Sequence, residues 1–258
     1  MILKKKYAIV LIKQPFKLRK DNSMTGFLNG TAITLLYIAI AALTIFPARK
    51  LLTISDELFR KILHFILLGA YIPLVFAFEK WWMAAIFALS LMVLLFPALM
   101  FAEKIPMFSR FVNERKEGEF KSSMVLAIGM MVLSVSVCWG LFNDKYLVLA
   151  SIYAWGVGDA FAALIGKRFG KHKIKLKFAD SHKSIEGSLS MFICAFISVL
   201  TVLCIRGGVS IALSVTVAFL AAIACTMTEL YSKNGLDTVI CPTSAMLVII
   251  PLIKIFAN

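Results

Sequence analysis

An aspartate sits inside an apolar run of membrane-spanning length, Gly158-Asp159-Ala160-Phe161-Ala162-Ala163-Leu164-Ile165, which leads straight into a basic stretch, Gly166-Lys167-Arg168-Phe169-Gly170. Further on comes Lys183-Ser184-Ile185-Glu186-Gly187-Ser188. A carboxylate at such depth is costly unless a cation meets it, so it marks a functional site. Lysine and arginine nearby suit an anion, and a carboxylate beside a bound anion suits a divalent cation between them. The trio points to a metal–nucleotide complex handled at a membrane surface.

Asp159 lies about two helical turns, on the order of 11 Å, before Lys167. Its oxygens suit Mg²⁺, which keeps several waters and takes one or two protein carboxylates plus substrate phosphates. The plainer reading is a structural ion pair with a basic residue of another helix. Gly156, Ala160 and Ala163 form a small-residue stripe that admits a close neighbour. Gly156-Val157-Gly158 is no dinucleotide fingerprint, because no strand–helix alternation surrounds it.

Lys167, Arg168 and Lys183 flank the spans nearest Asp159 and are candidates for phosphate contact. Lys171, His172, Lys173, Lys175 and Lys177, with His182, read as a solvated loop facing lipid headgroups. Ser184 has the N-cap position of the next span, which puts Glu186 in its first turn, where an acid favours the helix dipole. The same helix start, with Lys183 and Gly187, can hold an anion while Glu186 holds metal.

Glu229 falls at the C-terminal end of its span, where a carboxylate opposes the dipole and asks for a partner. Asp237, after Gly235, reads by itself as turn chemistry. Arg60, Lys61 and His64 share one helix face at i, i+3 and i+4. They serve either as interfacial anchors or, for His64, in proton transfer or donation to phosphate. Glu114, Glu117, Glu119 and Lys121 form a mixed-charge loop that reads as a solvated connection.

The elements that must position these groups are helices in a membrane. The chain has 258 residues, 60% hydrophobic and 16% charged, whereas soluble domains carry about a quarter charged residues. Apolar runs of spanning length, about 17–25 residues, fall at 24–46, 62–78, 81–102, 122–142, 146–166, 185–205, 209–228 and 238–256. The expected fold is an all-α polytopic bundle of about 7–8 transmembrane helices. A basic tail, 1–23, precedes a single transmembrane catalytic domain, 24–258. The short run 62–78 and the last run, with Pro242 and Pro251, are candidates for tilted, broken or re-entrant spans.

Trp81 and Trp82 stand at a span edge, where indoles favour the interface. The five cysteines have no C-x-x-C spacing and read as small apolar packing residues. The tail precedes a run too long for a cleaved leader, so a signal anchor fits better.

A net charge of +14 sits mainly in short loops, which fits anionic headgroups and a polyanionic substrate rather than nucleic acid. With eight spans, the connections 47–61, 103–121, 167–184 and 229–237 share one face and hold 17 Lys/Arg, against 11 opposite, 7 of them in the tail. The loop excess makes the first face cytoplasmic, although the tail argues the other way. Every polar group named above gathers on that face, and a bacterial cytoplasmic membrane is the expected location.

The chain resembles the CTP-dependent lipid-alcohol kinases: dolichol kinase, phytol and farnesol kinase, and yeast-type diacylglycerol kinase. The resemblance rests on Glu57-Leu58-Phe59-Arg60-Lys61-Ile62-Leu63-His64, Gly158-Asp159-Ala160, Gly166-Lys167-Arg168-Phe169-Gly170, Lys183-Ser184-Ile185-Glu186-Gly187-Ser188, Glu229, Gly235-Leu236-Asp237 and Pro242, in the family's order.

It implies transfer of the γ-phosphate of CTP, with Mg²⁺ or another divalent cation, to the hydroxyl of a lipid alcohol such as a polyprenol, phytol or diacylglycerol. Under it, Asp159, Lys183 and Glu186 belong to the nucleotide–metal motif and Glu229 and Asp237 to the last motif. With the residue chemistry above, the expected site has Asp159, Lys183, Glu186 and His64 as catalytic, and Lys167, Arg168, Arg60, Lys61, Gly158 and Ser184 as nucleotide or phosphate contacts. Asp159, Glu186, Glu229 and Asp237 hold metal. The chain departs at Thr238, where the family usually has asparagine. It has no Walker A sequence and lacks the lysine–aspartate–proline–glycine–histidine signature of CDP-diacylglycerol synthases. An ion-coupled anion transporter is the main rival, but transporters place binding groups at the midplane of matching halves. A nucleotidyl transferase and a non-catalytic membrane subunit are the remaining alternatives.

Overall fold

The computed structural model describes residues 23–52, 54–102, 119–174, 183–232 and 235–256. The basic tail, Glu114, Glu117, Lys175, Lys177 and His182 lie outside them, as do the side chains of Glu119 and Lys121. Among the described residues are eight helices long and apolar enough to cross a membrane. They are α1 (Ser23–Leu51), α2 (Asp56–Phe76), α3 (Trp81–Ala102), α4 (Glu119–Ser134, continued as a π-helix over Val135–Leu141), α5 (Lys145–Phe169), α6 (Ile185–Arg206), α7 (Ile211–Tyr231) and α8 (Asp237–Phe256). The chain is an all-α, multi-pass membrane protein.

The run expected at 62–78 is longer than hydropathy alone indicates. α2 begins at Asp56 and has 21 residues, about 30 Å at the helical rise and enough to span. Asp56 and Glu57 occupy its first turn, where acids favour the dipole. Arg49 holds this start, with Nη2 2.9 Å from Asp56 Oδ1 and its guanidinium 4.0 Å from the Phe59 ring centroid. α8 also runs without a break through Pro242 and Pro251.

α5 is the centre of the bundle and its most buried span. It packs against α2, α6, α7 and α8, with α4 beside it, while α1 packs mainly on α2 along one edge. Leu68, Met83, Leu147, Ile152, Met191, Leu203 and Ile249 build the buried core between these helices.

α5 and α6 approach closely because glycine lines their seam. A Cβ on Gly187 would lie 3.0 Å from the Ala162 carbonyl oxygen and 3.4 Å from Gly166 Cα. Backbone cannot swing aside as a flexible side chain can. Gly187→Ala is therefore expected to lower stability by about 1–3 kcal/mol, the usual range for overpacking. Thermal unfolding of the purified protein measures it, and an unchanged midpoint would remove the close-approach argument.

The face opposite the chemistry is fastened by cations. Arg206 Nε donates to Asp144 Oδ2 at 2.7 Å, and Asp144 also caps α5 by accepting from Tyr146 N. Lys254 Nζ donates to the Phe142 carbonyl at 2.8 Å. Lys145 Nζ lies 4.1 Å from the Trp139 ring centroid and donates to the Phe78 carbonyl. These contacts pin the turn between α4 and α5 to α6, α8 and the α2–α3 connection. They fix the axial position of α5, and with it the depth of Asp159.

Candidate functional site

Antiparallel packing of α2 on α5 aligns two pairs of groups. Lys61 and His64, three residues apart on α2, face Asp159 and Gly156, three residues apart on α5; such residues share a helix face. Lys61 Nζ lies 2.8 Å from Asp159 Oδ2, both side chains being mostly covered. His64 Nε2 lies 2.9 Å from the Gly156 carbonyl oxygen. A carbonyl only accepts, so Nε2 carries the proton, and in the neutral ring Nδ1 keeps a lone pair. A larger residue at 156 would displace Leu68, whose side chain packs where a Cβ would stand.

The second pair closes the other side. Glu229 lies in the last turn of α7, and Lys183 precedes α6. Lys183 Nζ lies 2.7 Å from Glu229 Oε1 and also donates to the Glu229 carbonyl. The carboxylate that opposed its own helix dipole thus has its partner, and one ammonium group neutralises both the side chain and the negative helix end.

Asp237 opens α8, where an acid agrees with the dipole. The left-handed turn before it needs Gly235, whose φ is 79°. Asp237 Oδ2 accepts from the Trp155 indole at 3.5 Å. Trp155 also lies edge-on to His64, with ring centroids 5.1 Å apart. Asp159, Glu229 and Asp237 lie within electrostatic reach of one another, and Lys183 reaches all three.

Three carboxylates therefore face two ammonium groups. Asp237 is the one held by an indole N–H rather than by a cation. Among the described residues no three histidine, cysteine or carboxylate side chains form a ready-made metal cage. Mg²⁺ needs none when phosphate and water supply most of its oxygens. Carboxylate-only donors with an excess of negative charge fit that ion.

The other expected site residues have contacts of their own. Glu186 is engaged by the chain after α5: Oε1 accepts from Lys171 N at 3.2 Å and lies 2.8 Å from His172 Nδ1. The cause is the chain reversal after α5, which brings Lys171 and His172 over the start of α6. Gly158 is buried against Met191, whose Sδ would lie 2.5 Å from an added Cβ, so this glycine serves helix packing. Ser184 caps α6 as expected, its Oγ accepting from Gly187 N at 3.2 Å. Lys167 is exposed, with Nζ 3.6 Å from Glu57 Oε2. Arg168 is exposed beside the Phe169 ring. Arg60, half-buried, begins the same α2 face as His64.

Trp155 is the site residue that sequence reasoning missed. It lies one helical turn before Asp159, and that spacing was the available signal.

The chain is 27% identical over 232 residues to the phytol kinase of Synechocystis sp., covering 85% of this chain and 88% of that protein. It is 25% identical over 165 residues to dolichol kinase sec59 of Schizosaccharomyces pombe, covering 58% of this chain and 32% of that one. No family model matches, and no solved structure matches. Both of these relatives are named as kinases of a lipid alcohol.

Proposed function

We propose that this protein transfers the γ-phosphate of CTP to the hydroxyl of a lipid alcohol, of the phytol, polyprenol or diacylglycerol kind, with Mg²⁺ bound at the cytoplasmic face of a bacterial membrane. The observation that carries the proposal is the meeting of Lys61, His64, Asp159, Lys183, Glu229 and Asp237, contributed by α2, α5, α7, α8 and the entry to α6, at one end of the bundle.

Phosphoryl transfer depends on positioning and charge neutralisation more than on covalent chemistry with the protein. One or two of Asp159, Asp237 and Glu229 would hold the metal, with phosphate and water supplying its other oxygens. Bound there, Mg²⁺ would neutralise and orient the phosphate oxygens. In the structure Lys61 and Lys183 are each paired with a carboxylate, which offsets two of the three negative charges. An incoming polyphosphate competes for both ammonium groups, and they then face the charge that develops on the transferred group. Lys167, Arg168 and Arg60, nearer the aqueous side, draw the nucleotide in.

His64 is held by the Gly156 carbonyl with Nδ1 as its free acceptor. It is the group proposed to take the alcohol proton at that atom. The lipid tail lies along the apolar helices, with its hydroxyl at the membrane boundary.

The test supplies the purified protein with Mg²⁺, with CTP or ATP, and with phytol, a polyprenol or diacylglycerol in turn. The expected product is a lipid monophosphate formed best with CTP. No lipid phosphate from any combination overturns the reading.

A further inference from the structure

Glu186 and the chain reversal between α5 and α6 carry an inference about how Lys183 is aimed. After α5 the chain turns at Gly170, whose N–H donates to the Gly166 carbonyl at 3.1 Å. Residues 172–174 then run antiparallel to residues 183–185. Ile174 N donates to the Lys183 carbonyl and Ile185 N to the His172 carbonyl, each at 3.0 Å, around a bridge between Lys173 and Ser184.

The Glu186 carboxylate closes this short ladder from below. Oε1 accepts from the Lys171 and His172 backbone N–H groups at 3.2 and 3.3 Å, Oε2 lies 3.4 Å from His172 N, and the His172 ring adds a contact at 2.8 Å. Lys183, three residues before Glu186, is fixed at its backbone by the ladder and at its ammonium by Glu229. Space at the ladder's base is tight, since a Cβ on Gly170 would lie 2.6 Å from Ser184 Oγ.

We propose that Glu186 is a positioning residue: it ties the segment after α5 to the start of α6, and so holds Lys183 in the site without touching metal or nucleotide. The kinetic part of this proposal rests on the kinase reading above; the structural part does not. A carboxylate that accepts backbone N–H groups can be replaced by an amide, which keeps one acceptor oxygen at nearly the same reach. A metal ligand cannot be replaced in that way without weakening metal binding.

The experiment compares Glu186→Gln, Glu186→Ala, His172→Ala and the Glu186→Ala/His172→Ala double variant of the full chain in detergent. Hydrogen exchange at the Lys171 and His172 amides is read first and needs no activity. Glu186→Ala is expected to speed it by about 10-fold or more, with Glu186→Gln closer to wild type, as expected for local opening once the carboxylate bonds are lost.

In the kinase assay, Glu186→Ala is expected to raise the nucleotide KM by about 10-fold with the Mg²⁺ half-saturation unchanged. The double variant should be no worse than Glu186→Ala, since the two residues act as one unit. Unchanged exchange in Glu186→Ala overturns the tether whatever the protein's activity. A raised Mg²⁺ requirement in Glu186→Gln overturns it in favour of a metal ligand. If exchange responds as expected and no variant or wild-type protein makes lipid phosphate, the kinase reading fails and the tether stands.

Discussion

Asp159→Asn is expected to lower lipid phosphate formation by about 10²- to 10³-fold, the range seen when one preorganised electrostatic group is removed from a site. Asparagine keeps the size of the side chain and one oxygen, so the loss reports charge rather than shape. The substitution also leaves Lys61 without its carboxylate in a mostly covered position, the two side chains being 15% and 22% exposed. A hydrogen bond to a charged group is worth about 1.5–3 kcal/mol net, so stability is expected to fall as well.

The two effects separate in the Lys61→Met/Asp159→Leu double variant. Replacing a covered ion pair by apolar side chains is often neutral or stabilising. The double variant should therefore recover the unfolding midpoint and remain inactive. Recovery of activity together with stability would make the pair structural only.

The second large effect is expected at Lys183. Lys183→Met removes the partner of the Glu229 carboxylate and the cation that satisfies the end of α7. Turnover should fall by about 10²-fold and the nucleotide KM should rise, because the ammonium is proposed to face both bound phosphate and the transferred group. Lys183→Arg keeps the charge but spreads it over a planar fork and is expected to rescue only in part. Glu229→Gln leaves the carbonyl that Lys183 also contacts, so its main effect should be a higher Mg²⁺ requirement. Steady-state kinetics with nucleotide and metal varied separately distinguish the three variants. An unchanged nucleotide KM and turnover in Lys183→Met would remove Lys183 from the site.

Much of this architecture was legible in the sequence because hydropathy alone marks membrane helices. The expected run at 81–102 coincides with α3, and the run at 185–205 stops one residue short of α6. α2 was cut short at its start because Asp56, Glu57, Arg60 and Lys61 are polar, yet they stay helical once the dipole and Arg49 support them. The Ser184 cap was readable from local chemistry alone. So was the mismatch at Glu229, which signalled a partner without naming it.

What sequence could not supply was direction. Lys61 and Asp159 are 98 residues apart, and only the packing of α2 on α5 joins them. The helix start suited an anion and Glu186 a metal beside it, but the chain reversal gives the carboxylate to Lys171 and His172. Trp155 looked like one more apolar residue of a span until the start of α8 brought Asp237 to its indole.

The most direct measurement follows the label from γ-labelled CTP into extracted lipid, with wild-type and Asp159→Asn protein purified side by side and shown to be folded. The account predicts labelled lipid monophosphate from the wild type and at most about one hundredth as much from the variant. Equal labelling by the two proteins would contradict it, as would wild-type protein that transfers no label to any lipid alcohol.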